Sequence, residues 1–366
     1  MPARRRWWWP CSRMAIGAGA GTHPGRRPSM NAIRHRIRRF LDGADIRRFR
    51  FWVQLAAFVL LTYGGYLAID FGSSLPTFSC VFNQEGRAGV CYLFPLQHHT
   101  QISWDTVFGW RGVILVTGLV TFVAWLIFLN KAWCGYVCPL GTIQDWLTRL
   151  RQALGIRYTA LSETTLRRIR PVKFVLLALL IALPLFIVNP IVGATLPDDA
   201  SVPFCKICPA RMVMPLFTGD VSQLSVDFST VTAMAFTAVG MAITGLFFVG
   251  AFMRPRFFCL FCPMSALHYL FKPIGLLRLR KTGDKCTRCG NCYRVCDMQI
   301  KAIADDVERR HIMTDDCMMC LKCVAACPER DALQARFMGI PIYRSTEEGF
   351  ERRFARATRQ EHEDQR

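Results

Sequence analysis

Four stretches of this chain carry almost no polar side chain: Phe51–Ile69, Gly112–Leu129, Phe174–Val192 and Val231–Phe252. None contains a charged residue. Each is close to the ~20 apolar residues that an α-helix needs to cross a bilayer core about 30 Å thick. The pattern predicts four transmembrane helices, and four such runs in one chain argue against the buried helices of a soluble core. Pro184 and Pro190 fall in the third run and predict a kink or an early exit. Two other segments are amphipathic. Ile33, Ile37, Phe40 and Leu41 share one helical face among arginines, and Trp146, Leu147, Leu150 and Leu154 share another. Both predict helices lying in the membrane interface.

The charge pattern orients these helices. Lys and Arg number 46 against 26 Asp and Glu, a net charge of +20 over 366 residues. The arginines crowd before residue 51, between Arg149 and Arg170, and beyond Arg254, while the loop from Gly193 to Thr230 sets Asp198, Asp199, Asp220 and Asp227 against Lys206 and Arg211. Basic loops stay inside, so both termini are expected in the cytoplasm and the loops Asp70–Arg111 and Gly193–Thr230 outside. The expected location is the bacterial inner (cytoplasmic) membrane, with a multi-pass topology. No nucleic-acid motif or aromatic–basic stacking platform accompanies the charge, so nucleic acid is not expected as a partner. Met1–Ser29 lacks the apolar core of a signal peptide and is expected to be disordered or to precede a start at Met14 or Met30.

Seventeen cysteines supply the chemistry. Eight form two runs, Cys286-x₂-Cys289-x₂-Cys292-x₃-Cys296 and Cys317-x₂-Cys320-x₂-Cys323-x₃-Cys327-Pro328. This is the spacing that folds around two [4Fe–4S] clusters, the fourth cysteine of each run serving the other cluster. Cys286, Cys289, Cys292 and Cys327 are then expected on the first cluster, and Cys317, Cys320, Cys323 and Cys296 on the second. Structural zinc normally uses two Cys-x₂-Cys pairs instead. Three shorter motifs each end in proline: Cys134-x₃-Cys138-Pro139, Cys205-x₂-Cys208-Pro209 and Cys259-x₂-Cys262-Pro263. The first and third follow the second and fourth spans, on one membrane face. Their four thiols can hold a third Fe–S cluster or another thiophilic metal, or act as redox dithiols or structural cysteines. On the outer face an oxidising compartment favours disulfides such as Cys80–Cys91, with a metal or a redox-active dithiol at Cys205 and Cys208 as the alternative. Cys11 is incidental.

The spans contain no histidine, so haem within the membrane is not expected. They also hold no carboxylate or lysine for a proton relay. His98 and His99 can ligate a metal or line a quinone pocket, although a solvated loop pair is the plainer reading. His268 is expected at the interface. Gln54, Thr121, Thr232, Thr237 and Thr244 are expected to hydrogen-bond between helices.

Taken together, Trp133-Cys134-Gly-Tyr-Val-Cys138-Pro139-Leu140-Gly141, Phe258-Cys259-Leu-Phe-Cys262-Pro263 and the eight ferredoxin cysteines resemble the NapH/NosR-type membrane polyferredoxins over roughly Phe51–Pro328. The resemblance implies electron transfer between the quinone pool or another donor and periplasmic reductases or dehydrogenases, or support of their maturation. The chain has no room for the outer flavin domain of a NosR-like protein, so the shorter NapH-like architecture fits better. The first run departs from the pattern by ending Cys296-Asp297 where proline is usual.

The fold class expected is an α-helical integral membrane protein with four transmembrane helices and a C-terminal α+β two-cluster ferredoxin domain of the bacterial type. The divisions are a basic, partly disordered N-terminal segment (1–50), the four-helix domain (51–253), a membrane-surface segment and linker (254–280), the ferredoxin domain (281–330) and a charged tail (331–366). The function expected is a membrane-bound relay from a quinone or cytoplasmic donor to a partner oxidoreductase or cytochrome subunit. A maturation reductase for a metalloenzyme and an Fe–S redox sensor are the alternatives.

Overall fold

The structure is a computed structural model that describes residues 45–67, 76–77, 80, 90–91, 110–157, 160–188 and 203–352. The amphipathic pattern from Ile33 to Leu41, His98, His99 and the end of the charged tail lie outside the described residues. Helix α1 spans Ile46–Tyr63. It begins five residues before its apolar run because Asp45 caps it, its carboxylate accepting the Arg47 N–H at 3.0 Å, and arginine is a good helix former. Two short strands, β1 (Pro76–Thr77) and β2 (Val90–Cys91), pair in parallel. Helix α2 covers Trp110–Phe128, and α3 covers Pro139–Ala153. Helix α4 is Glu163–Ile169, and α5 (Val172–Val188) continues through Pro184. Helices α6 (Pro203–Ile207) and α7 (Pro209–Phe217) precede α8, Val231–Met253. Among the described residues α8 is the one helix long and apolar enough to cross a membrane, 23 residues with mean hydropathy 1.9.

Two helices run between the same two ends of the molecule. Near its start α1 places Arg50 3.8 Å from Asp297 of the ferredoxin region, and at its end Tyr63 donates to the Phe217 carbonyl of α7 at 2.6 Å. Helix α8 runs the other way. Gly240 lies against α6, where an added Cβ would sit 3.0 Å from the Lys206 carbonyl oxygen. Beyond its end, Arg254 donates to Gln299 at 3.0 Å. Fourteen residues separate Gly240 from Arg254, about 21 Å of helix.

The C-terminal region begins after α9 (Pro263–Leu270). Strand β3 (Leu277–Lys281) pairs antiparallel with β4 (Leu333–Phe337), which pairs with β5 (Ile340–Arg344). Between β3 and β4 lie three single turns of helix: α10 (Asn291–Arg294), α11 (Ala302–Asp305) and α12 (Lys322–Ala325). Leu279, Ile303, Val324 and Ala335 fill its centre, none more than 2% exposed. Two left-handed residues recur at matching places in the cysteine loops, Arg288 and Gly290 around Cys289, then Met319 and Leu321 around Cys320. The repeated spacing thus yields a repeated backbone.

Basic residues that flank the apolar runs turn inward. Arg50, Lys131, Arg151, Lys173, Arg254 and Arg256 are each no more than 4% exposed. Lys131 donates to the Asp315 carbonyl at 2.6 Å and to the Ser265 hydroxyl at 2.9 Å. Lys173 pairs with Asp315 at 2.9 Å and with Asp316, and Arg170 reaches Asp316 at 2.6 Å. The Leu276 N–H donates to the Ile127 carbonyl at 2.9 Å. These bonds join the ferredoxin fold to the ends of α2 and α5. Truncating one partner of such buried pairs typically costs about 3–5 kcal/mol, because a desolvated charge is left behind.

Candidate iron–sulfur centres

The structure gathers the ferredoxin cysteines into two sets of four. Cys286, Cys289, Cys292 and Cys327 line one small cavity. Cys296, Cys317, Cys320 and Cys323 line a second. In each, three sulfurs come from one loop and the fourth from the other run. Burial pushes Cys317 and Cys327 up to about 11 and Cys296 to about 12, and it raises Cys292 against the opposing pull of Lys281. Buried thiols keep their protons until a cation replaces them, so this donor set fits an iron–sulfur cluster. Among the described residues no three Cys, His, Asp or Glu side chains come close enough to hold a single metal ion. Four sulfurs around a cavity suit a cluster, whose corners hold its ligands apart.

Asp297, which stands where proline is usual, has a local function. Its carboxylate accepts two bonds from Lys322 Nζ at 2.8 and 2.6 Å, tying the end of the first run to the second. Lys281 lies under the first cavity, its ammonium bonded to the Ile303 and Ala304 carbonyls at 2.8 and 3.0 Å.

The two membrane-surface motifs also converge. Trp133–Val137 forms a π turn closed by the Cys138 N–H on the Trp133 carbonyl at 3.0 Å, and it absorbs the extra residue of Cys134-x₃-Cys138. Such turns recur at functional sites. The other motif sits on a 3₁₀ turn, Phe257–Leu260, entered through Arg256 at φ 56°. Burial raises Cys138, and the nearby Cys134, Cys259 and Cys262 raise it further. Cys134 is raised to about 11 by burial, opposed by Lys131. Lys131 also lies near Cys317, between this set and the second ferredoxin cavity. The Gly135 backbone meets the second cysteine loop so closely that an added Cβ would lie 2.4 Å from the Met318 carbonyl oxygen.

Asp145 organises that junction. It accepts from Gln54 at 2.7 Å, from Arg256 at 2.9 and 2.6 Å, and from Arg50. The same donors hold the motif's backbone: Arg256 bonds the Cys134 carbonyl at 2.9 Å, and Arg50 and Gln54 bond that of Gly135 at 2.9 and 3.0 Å. Buried as it is, Asp145 is held well below the usual carboxylate range by Arg256 and Arg50. Gln54 thus bonds between helices as expected. The sequence signal for Asp145 is slight: it is the lone acidic residue of α3, two turns after Cys138.

Two sequence expectations are corrected. The expected Cys80–Cys91 disulfide is not assigned; instead both residues line a cavity together with Cys205 and Cys208. His268 is not interfacial but 4% exposed, since α9 packs it beneath the Lys131 segment. Within the predicted interfacial helix, Leu150 and Leu154 are exposed, whereas Trp146 and Leu147 pack against the core around Phe58 and Phe247.

Comparison with known proteins bears on these sets. A 4Fe–4S dicluster domain model matches residues 278–328. A 4Fe–4S binding domain model matches twice, at 111–157 and 236–281. YccM of Escherichia coli, named for electron transport, is 24% identical over 79% of this chain and 76% of its own length. The ferredoxin-type protein NapH of Haemophilus influenzae is 22% identical over 60% of this chain and 67% of its own. An uncharacterised protein of Methanocaldococcus jannaschii is 25% identical over 60% and 77% respectively. No solved structure matches the chain. Two ferredoxin loops with a shared backbone, a dicluster match across them and relatives of this kind lead to one assignment: the chain is a NapH-like 4Fe–4S ferredoxin-type protein.

Proposed function

We propose that the chain is a membrane-embedded electron carrier whose cysteines hold a row of iron–sulfur centres. Cys286, Cys289, Cys292 and Cys327 ligate the first [4Fe–4S] cluster, and Cys317, Cys320, Cys323 and Cys296 the second. Cys134, Cys138, Cys259 and Cys262 ligate a third, which the two matches of a 4Fe–4S binding model over their segments support. The observation that carries the reading is adjacency. Cys292 of the first set lies near Cys323 of the second, and Lys131 bridges the second set to Cys134. Each cluster, when bound, supplies one-electron redox chemistry. The protein fixes the sulfurs, excludes water and sets the local charge through Lys281, Lys131 and Arg256.

The helices α1, α2, α5 and α8 cross the inner membrane, with both termini in the cytoplasm. Each turns large apolar side chains outward: Trp52 is 64% exposed, Val120 61%, Val175 57% and Val249 63%, a pattern suited to lipid. The donor is a quinone or a cytoplasmic reductant, and the acceptor is a partner oxidoreductase or cytochrome subunit, in keeping with the NapH relatives. Iron and acid-labile sulfide per chain, with EPR of the reduced anaerobic protein, test the reading. At least about twelve irons are expected, four for each set. Cys289→Ala and Cys138→Ala are each expected to lose about four while still inserting into the membrane. Unchanged iron in Cys138→Ala would remove the third centre.

A further inference from the structure

Cys80, Cys91, Cys205 and Cys208 take no part in those three sets, yet all four line one cavity. Its volume is about 300 Å³, and its walls are otherwise apolar, among them Leu176, Phe204, Ile243 and Phe247. Pro139, Cys262 and Pro263 also line it, so it abuts the third set. The four thiols are delivered by separate local structures. Cys91 pairs with Thr77 in the β1–β2 ladder, and Cys80 is buried. Helix α6 carries Cys205 and is seated against α8 at Gly240, where a side chain would crowd the Lys206 carbonyl and the Met212 methyl.

Cys208 repeats a structure seen twice elsewhere in the chain. It is the N-cap of α7 with Pro209 at the first helical position, as Cys138 and Pro139 open α3 and Cys262 and Pro263 open α9. Proline at that position gives up an N–H that has no helical partner anyway, so the next amides face the sulfur. Burial pushes Cys208 up to about 12, and the nearby Cys80 and Cys91 contribute in that order. Cys262 in turn lies near Cys208. The Arg211 guanidinium lies near Cys80, a cation placed to offset thiolate charge. As at the ferredoxin cavities, no group of three metal-ligating side chains is placed around a single ion among the described residues.

We infer that Cys80, Cys91, Cys205 and Cys208 ligate a fourth [4Fe–4S] cluster, beside Gly240 and Ile243 of α8 and adjoining the third set. The ligation stands on the cavity and its four sulfurs, while its role as the outward terminus rests on the proposed electron-carrier reading. An electron moving from the Cys134, Cys138, Cys259 and Cys262 centre oxidises that centre by one and reduces this one by one, with no bond made or broken. A redox protein docking beside it takes the electron up. The row then crosses the apolar region in steps between neighbouring sulfur sets, and no mobile quinone is needed between them.

The test is metal analysis of the full chain, purified without oxygen. About sixteen irons per chain are expected, four for each of four clusters, falling to about twelve in Cys208→Ser and in Cys80→Ser. Cys138→Ser reports separately on the third centre, so loss in one variant and not the other shows which assignment fails. Should the serine variants not insert, differential alkylation of the wild type decides. Cys80, Cys91, Cys205 and Cys208 should be protected together while iron is bound and become reactive together after chelation. Unchanged iron in Cys208→Ser, or a Cys80–Cys91 disulfide that survives chelation unalkylated, overturns the inference.

Discussion

Burial strips His268 of water and leaves its Nδ1 without a hydrogen-bond partner, and the Lys131 ammonium lies nearby. Both effects disfavour the imidazolium, burial more than Lys131, and hold the group at about 3 against an ordinary 6.5. The sign follows from proton linkage. Above pH 6.5 the folded and unfolded forms are both neutral at this residue, and it has no effect on pH dependence. Below 6.5 the unfolded chain takes up a proton that the folded one refuses, so stability falls until the folded group titrates near 3. Between pH 7.5 and 5.5 the expected loss is about 1.4 kcal/mol. His268→Leu should lack that loss in denaturant titrations of the detergent-solubilised protein. The same pH dependence in variant and wild type would show that another group is responsible. Asp145 behaves in the opposite sense: its depressed folded value keeps its ion pairs intact through this window, so it does not contribute to the signal.

Among the elements, the π turn Trp133–Val137 is the hinge point between the helices and the ferredoxin loops. The Gly135 backbone packs directly on the Met318 carbonyl, and a methyl group there would lie 2.4 Å from that oxygen. Backbone cannot swing aside as a flexible side chain can, so Gly135→Ala is expected to lift the two elements apart at about 1–3 kcal/mol. Limited proteolysis in the linker Phe271–Leu276 should then accelerate several-fold. Gly245→Ala on α8, where an added Cβ meets nothing within 4 Å, is the control and should leave the rate unchanged. Equal rates in the two variants would mean that the junction is not held through this contact. These elements show what was readable from the chain. Apolar runs located the helices, and the cysteine spacing located both ferredoxin loops, because each is a local property of consecutive residues. The convergence of Arg50, Gln54, Asp145 and Arg256 was not readable, since it joins positions up to 206 residues apart. Flanking arginines look alike in sequence whether they face lipid headgroups or, as Arg256 does, are wholly buried. The meeting of Cys80 and Cys91 with Cys205 and Cys208 depends on the same kind of tertiary closure.

For the whole molecule, the proposed membrane-spanning reading leads to one topology. Helix α1 leaves the ferredoxin region and ends at α7, while α8 starts beyond α7 and returns to Gln299. With α1, α2, α5 and α8 as the proposed crossings, their even number keeps the start of α1 and the ferredoxin fold on one side. That side holds Arg149–Arg170 and the segments beyond Arg254, whereas the turn after α7 carries Asp220 and Asp227. The bias of basic residues toward the cytoplasm then sets which side is which. Gly219 is an exposed turn residue at φ 84° with open space around it, so a protease recognition site inserted there should be tolerated. Added protease is expected to cut at Gly219 in intact spheroplasts. A site inserted after Glu351, beyond the strand and turn that close the ferredoxin fold, should be cut only after lysis. Cleavage of both sites from the same side would break the link between the fold and the membrane, and with it the outward position of the Cys80, Cys91, Cys205 and Cys208 set. Cleavage in the reverse order would keep the row of sulfur sites but invert the direction in which it leads.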